Sequence, residues 1–157
     1  MQNPVVVTAD LGFAKKARNF AANMNIPMAF IEKRRGGNDA NPEALTMIGD
    51  VKDRDCIIVD DEIDTGGSIA QAVNLVKECG AHDVYVTFVH GILSQDSAKS
   101  LAKLPVKEFV CTDTIPIPNE KARLFGDRLK ILSIAPLLGE VICRANEGRS
   151  VGELFNE

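Results

Sequence analysis

A chain of 157 residues fits one domain with a sizeable core, and a formal net charge of −4 without a basic tract argues against a nucleic-acid partner. Hydrophobic residues make up 45% and charged residues 25%, an ordinary globular balance, and no apolar run reaches the length of a membrane span. The first residues carry no basic n-region, so no secretory signal is expected. Cys56, Cys79, Cys111 and Cys143 are scattered without a CxxC, which reads as small core residues in a reducing cytosol and predicts a cytoplasmic protein.

Along the chain, strand and helix patterns alternate. Pro4–Thr8 is a short apolar strand. Phe13–Asn25 has helical spacing, with Phe13, Ala17, Phe20, Ala21 and Met24 on one face. Pro27–Ile31 is the next strand, and the polar, glycine-containing stretch Glu32–Asn41 reads as a mobile loop. Inside it, Lys33, Arg34 and Arg35 precede Gly36 and Gly37. Three adjacent cations are ordinarily a solvated face; here they could also fold over a bound anion. Cys56–Val59 reads as a buried parallel strand. Ser68–Cys79 is a helix with Ile69, Val73 and Val76 inward and Gly80 as its stop. Asp83–His90 is a β-branched strand, Ser94–Lys103 a helix, and Val106–Thr112 and Leu129–Ile134 two further strands. A final helix runs from near Ser133 to about Asn146, with Gly148 after it. The alternation predicts an α/β domain over residues 1–157, a doubly wound, mainly parallel sheet flanked by helices.

The chemistry concentrates where the Cys56 strand ends. Asp60 and Asp61 are adjacent, Asp64 follows, and Thr65-Gly66-Gly67-Ser68 leads into a helix. Open α/β sheets bind ligands at the C-terminal ends of their strands. Paired glycines let the backbone approach a ligand, and hydroxyls with helix-start N–H groups can cradle a phosphate. Carboxylates beside such a loop make sense as acceptors of sugar hydroxyls or as holders of a divalent cation. The implied ligand has a phosphate at one end and a polyol at the other. An acidic, solvated strand–turn–helix is the plain alternative. His90 ends a strand at the ligand-binding edge and reads as structural, while His82 in a turn and Glu62 read as exposed.

This segment resembles the phosphoribosyl pyrophosphate (PRPP) signature of the type I phosphoribosyltransferase fold, which also hosts ribose-phosphate pyrophosphokinases, the PRPP synthetases. Further matches favour that family, in the manner of its C-terminal half. Thr8-Ala9-Asp10-Leu11-Gly12 is similar to a Pro-Asp-x-Gly-Gly loop, with Ala9 for the proline and Phe13 for the second glycine. Ile31–Arg35 resembles the start of the catalytic flexible loop, and Gly49–Lys52 the stretch before the signature strand. His90–Ser94, Thr112–Pro116 and Ser150-Val151-x-x-Leu154-Phe155 resemble three further family elements.

The resemblance implies binding of ribose 5-phosphate or PRPP by Asp60, Asp61, Asp64, Thr65, Gly66, Gly67 and Ser68. It implies Mg²⁺ as cofactor with Asp10 as a ligand, and Lys33 and Arg35 as catalytic cations that neutralise transferring phosphate. It implies pyrophosphoryl transfer from ATP to the anomeric hydroxyl, with ATP held by an N-terminal half that this chain does not match, and a homo-oligomer. The chain is then an excised domain or a short paralogue. Two other readings are a phosphoribosyltransferase, for which the chain offers no spare base-selecting hood, and a non-catalytic PRPP-binding regulatory or assembly module.

Overall fold

The computed structural model describes residues 1–9, 11–34 and 44–155. Among these residues seven strands form one sheet: β1 (Val5–Thr8), β2 (Met28–Arg34), β3 (Ala44–Ile48), β4 (Cys56–Ile63), β5 (Val84–Gly91), β6 (Glu108–Thr112) and β7 (Leu129–Leu132), in the order β3-β2-β1-β4-β5-β6-β7. All pairings are parallel except β2 with β3. The helices are α1 (Ala14–Asn23), α2 (Gly67–Glu78), α3 (Ser97–Leu101), α4 (Asn119–Phe125) and α5 (Ala135–Glu147). The expected doubly wound, mainly parallel sheet is the one observed.

The period-two side-chain alternation of a strand explains why the chain is wound on both faces. Val6, Ile57 and Val59 point to one face and pack with Ala17 and Ala21 of α1. Val5, Val7, Cys56 and Ile58 point to the other and pack with Ile69, Val73 and Val76 of α2. The small residues Ala17 and Ala21 let α1 lie close, and the contact is narrow. Phe20 and Met24, expected inward, are 37% and 44% exposed. In β5 Val84, Val86 and Phe88 are the buried large side chains; Val89, on the opposite face, is exposed. Phe109 of β6 meets Phe125 of α4 edge to face, with centroids 4.9 Å apart. Losing a buried aromatic ring of this kind costs ~3–5 kcal/mol.

Three local features depart from expectation. β2 continues through Glu32, Lys33 and Arg34, because β3 pairs with it and gives those residues a ladder partner, Lys33 opposite Leu45. β3 and α4 were not anticipated; each is short and places few side chains in the core. β4 runs on through both signature aspartates to Ile63. Gly80, at φ +86°, ends α2 as anticipated, and Gly148, at φ +67°, ends α5. No residue of α5 is buried, and its apolar Leu137, Leu138 and Ile142 face solvent. Among the described residues no helix is long and apolar enough to cross a membrane.

Candidate ligand-binding site

The strand order reverses direction between β1 and β4: the chain leaves β1 for β2 and β3, then returns to place β4 on the other side. At such a switch point the connections leave the strand ends in opposite directions and open a crevice. A cavity of about 450 Å³ lies there, lined by Ala9 after β1, Lys33 of β2, and the run Asp60–Ile69 from the end of β4 to the start of α2.

The loop is held from below. Ile63 is buried, and its carbonyl accepts the Leu93 N–H at 2.9 Å; the Asp64 carbonyl accepts that of Ser94 at 3.1 Å. Gly66 is the residue before α2, with φ +78°, a conformation L side chains rarely adopt. A Cβ there would meet the Leu101 side chain at 3.1 Å. Gly67 differs: its nearest neighbour would be Thr65 Oγ1 at 4.0 Å. Gly66 is therefore required by the backbone, whereas the space beside Gly67 belongs to the cavity. In the sequence alone the two glycines carry one and the same expectation. The helix start leaves the N–H groups of Gly67, Ser68 and Ile69 without intrahelical acceptors, an anion-binding arrangement.

Two lysines reach this loop. Lys33 Nζ donates to Ser68 Oγ at 3.3 Å. Lys16 Nζ, on the first turn of α1, donates to Asp61 Oδ2 at 3.1 Å and sits 5.3 Å from the centroid of the Phe13 ring. The Asp61 N–H donates to Asp60 Oδ1 at 2.9 Å. Burial pushes the Asp61 carboxyl upward, but the Lys16 ammonium and the hydrogen bonds outweigh it and hold the group below the usual carboxylate range. Asp60 also lines a smaller, apolar cleft of about 180 Å³ with Phe13, Lys16, Phe20 and Val59.

Asp60, Asp61, Asp64, Thr65, Gly66, Gly67, Ser68 and Lys33, all anticipated, thus line one cavity. Asp10 and Arg35 lie outside the described residues, as does most of the anticipated mobile loop. Lys16 was missed, and the only signal was its place one turn after the β1 loop. The donor set at Asp60 and Asp61 is oxygen alone. It suits Mg²⁺, which takes one or two carboxylates, keeps several waters and shares substrate phosphates.

Both histidines are engaged. His90 Nδ1 lies 2.9 Å from Thr114 Oγ1, whose hydroxyl, like that of Thr112, donates to the Val89 carbonyl. At the opposite end of the strands, Asp55, His82 and Asp83 bring ligand-type atoms within 4.8 Å of one another. Protein hydrogen bonds already hold this group together. Asp55 accepts from His82, from the Gln2 N–H and from the Asp83 N–H, and Asp83 accepts from Lys107 at 2.6 Å. The group is a brace rather than a vacant metal site. His82 is exposed, as expected, and is also one of its members.

Residues 37–156 match the family model of the phosphoribosyl synthetase-associated domain. The ribose-phosphate pyrophosphokinase of Caldanaerobacter subterraneus subsp. tengcongensis is 44% identical over 151 residues, covering 96% of this chain and 46% of the relative. That of Haemophilus influenzae is 40% identical over 157 residues, covering 99% and 49%. Among solved structures, the phosphoribosylpyrophosphate synthetase from Mycobacterium smegmatis superposes with a TM-score of 0.83 at 40% identity, over 94% of this chain and 46% of that one. The orotate phosphoribosyltransferase from Aeropyrum pernix shares the fold alone, with a TM-score of 0.54 at 19% identity over 89% of this chain and 65% of that one. The chain spans about half the length of the curated relatives it matches. A switch-point cavity built on the signature acids and loop, and a family match over most of the sequence, lead to one assignment: the chain belongs to the phosphoribosyl synthetase-associated domain family, that of the ribose-phosphate pyrophosphokinases.

Proposed function

We propose that this chain is the ribose-phosphate-binding unit of a PRPP synthetase, taking ribose 5-phosphate or PRPP in the cavity at the β1–β4 switch point. The carrying observation is that one cavity joins two chemistries: a glycine-containing helix start with Thr65 and Ser68, and the adjacent carboxylates Asp60 and Asp61. A 5-phosphate fits the N–H groups and hydroxyls of Asp64–Ser68. The 2- and 3-hydroxyls of the ribose then face Asp60 and Asp61, which accept their hydrogen bonds or hold Mg²⁺. Bound Mg²⁺ would neutralise phosphate charge and polarise the phosphoryl group. The family resemblance adds Asp10 as a ligand for the ion.

In the family reaction the anomeric hydroxyl attacks the β-phosphorus of ATP and AMP leaves. Lys33 lines the cavity from β2, which supports a role in stabilising the transferring phosphate, and the resemblance gives Arg35 the same role. Such a donor typically contributes about a hundred-fold to a thousand-fold in rate. ATP would come from a half of the enzyme beyond this sequence, since the chain spans about half of its relatives. A homo-oligomer and a cytoplasmic location follow from the same resemblance. That half-length match also keeps open a second reading, a ribose-phosphate-binding module without turnover of its own.

Calorimetric titration with ribose 5-phosphate and Mg²⁺ tests the assignment. Ligand at about a hundred times its dissociation constant should also add ~2.7 kcal/mol of stability. A folded protein that neither releases heat nor shifts its Tm at millimolar ligand would overturn the proposal.

A further inference from the structure

Among the described residues, Lys16 is a site-facing cation that the assignment leaves without a role. Its ammonium occupies Asp61 Oδ2 at 3.1 Å, on one of the two carboxylates offered to a divalent cation. The two side chains are 68% and 47% exposed, so the pair can open without dismantling the core. The Lys16 ammonium also lies over the Phe13 ring, which gives it a resting place beside the carboxylate. Adjacent carboxylates repel one another, and an ammonium on one of them relieves that repulsion while no metal is bound. A divalent ion arriving at the same oxygens meets a positive charge already there.

We propose that Lys16 and the divalent cation compete for Asp61, so that Lys16 sets the cation affinity of the site. The inference rests on the sugar-phosphate reading above and deepens it. Lys16 acts as a built-in counter-ion that keeps the acids paired when the site is empty and leaves Asp61 when the cation enters. Lys33 has a different station, on Ser68 in the phosphate loop, and does not take part in this exchange.

Mn²⁺ is the probe, followed by electron paramagnetic resonance on the whole chain at neutral pH and low ionic strength. Sulfate titration reports separately on the phosphate loop. Lys16→Gln should tighten Mn²⁺ about two- to five-fold, the range of an exposed ion pair, and leave sulfate binding at the loop intact. Lys16→Arg, which keeps the charge, should restore an affinity close to that of the unaltered protein. In an Asp61→Asn background the gain from Lys16→Gln should disappear, since the shared carboxylate is gone. Equal or weaker Mn²⁺ binding in Lys16→Gln, or a gain that survives Asp61→Asn, overturns the competition. Loss of sulfate and ribose 5-phosphate binding in the unaltered protein would strike the sugar-phosphate reading itself. Intact ligand binding with no gain in Lys16→Gln strikes only the inference.

Discussion

Lys33 Nζ donates to Ser68 Oγ across 3.3 Å, joining the end of β2 to the second residue of α2 in the lining of the cavity. The two residues are far apart in sequence, and the contact exists because β2 extends three residues beyond its apolar core to pair with β3. It places an ammonium beside the N–H groups of a helix start, where both favour an anion.

Lys33→Ala should therefore weaken sulfate and ribose 5-phosphate together. A hydrogen bond to a charged group contributes ~1.5–3 kcal/mol, and solvent exposure takes this toward the lower end, about a ten-fold loss. The Tm of the unliganded protein should move little, since the contact with Ser68 is exposed. Calorimetry with each ligand and a melting curve decide it. Unchanged affinity for both ligands would show that the ammonium does not face the bound phosphate.

The two loop glycines should separate by phenotype. Gly66→Ala forces a side chain into a positive-φ position and against Leu101, so it should lower stability by ~1–2 kcal/mol. Gly67→Ala meets no neighbour closer than 4.0 Å and should leave Tm almost unchanged. Its methyl group enters the space assigned to the phosphate, so sulfate binding should fall while folding does not. Two variants with the same stability loss and the same binding loss would contradict this division.

These contrasts mark how far the sequence alone could be read. Asp60–Ser68 was legible because its chemistry is contiguous: an apolar strand, acids, hydroxyls and glycines follow one another within one loop. The core of β4 and α2 was legible through its periodicity. Lys16 was not, because its partner lies 45 residues away and only the packing of α1 on the sheet brings them together. β3 was hidden because an edge strand of five residues beside a polar stretch buries too little to leave a clear pattern. The roles of Gly66 and Gly67 could not be told apart either. The difference is a φ angle and the nearness of Leu101, both properties of the folded chain.

Asp55 supplies a prediction about pH. Burial would raise its pKa. The hydrogen bonds from His82 and from the Gln2 and Asp83 N–H groups prevail and hold it below the ordinary carboxylate value. A group whose folded pKa is depressed stabilises the fold above its unfolded pKa of ~3.9, and that contribution fades as pH falls through the folded value. Asp55→Asn, which leaves a donor among donors, should cost ~1–3 kcal/mol near neutral pH. Urea melts across a pH series should show the gap between the two proteins beginning to close below about pH 4, where the unfolded chain takes up the proton, and narrowing until pH passes the lower folded pKa of Asp55. A gap that stays constant down to the acid limit would mean that the Asp55 charge contributes nothing.

The last prediction concerns turnover. The 157-residue chain should bind ribose 5-phosphate yet release AMP from ATP slowly or not at all. Transfer needs the anomeric hydroxyl and the β-phosphorus held at near-attack distance, and that positioning accounts for ~7–11 kcal/mol of a barrier of this kind. Lys33 and the phosphate loop can fix the sugar. They can stabilise the transferring group only if the triphosphate is delivered to the same cavity. The relatives that carry out the complete reaction are about twice as long, so the delivering residues are expected in the part of them that this chain does not match. A coupled assay for AMP, with Mg²⁺ present and ribose 5-phosphate binding verified on the same sample, separates the outcomes. Turnover near one per second or faster, within the ordinary enzymatic range, would show that this chain holds ATP by itself. Binding without turnover, restored by adding the missing half of a relative, would place the nucleotide site outside it.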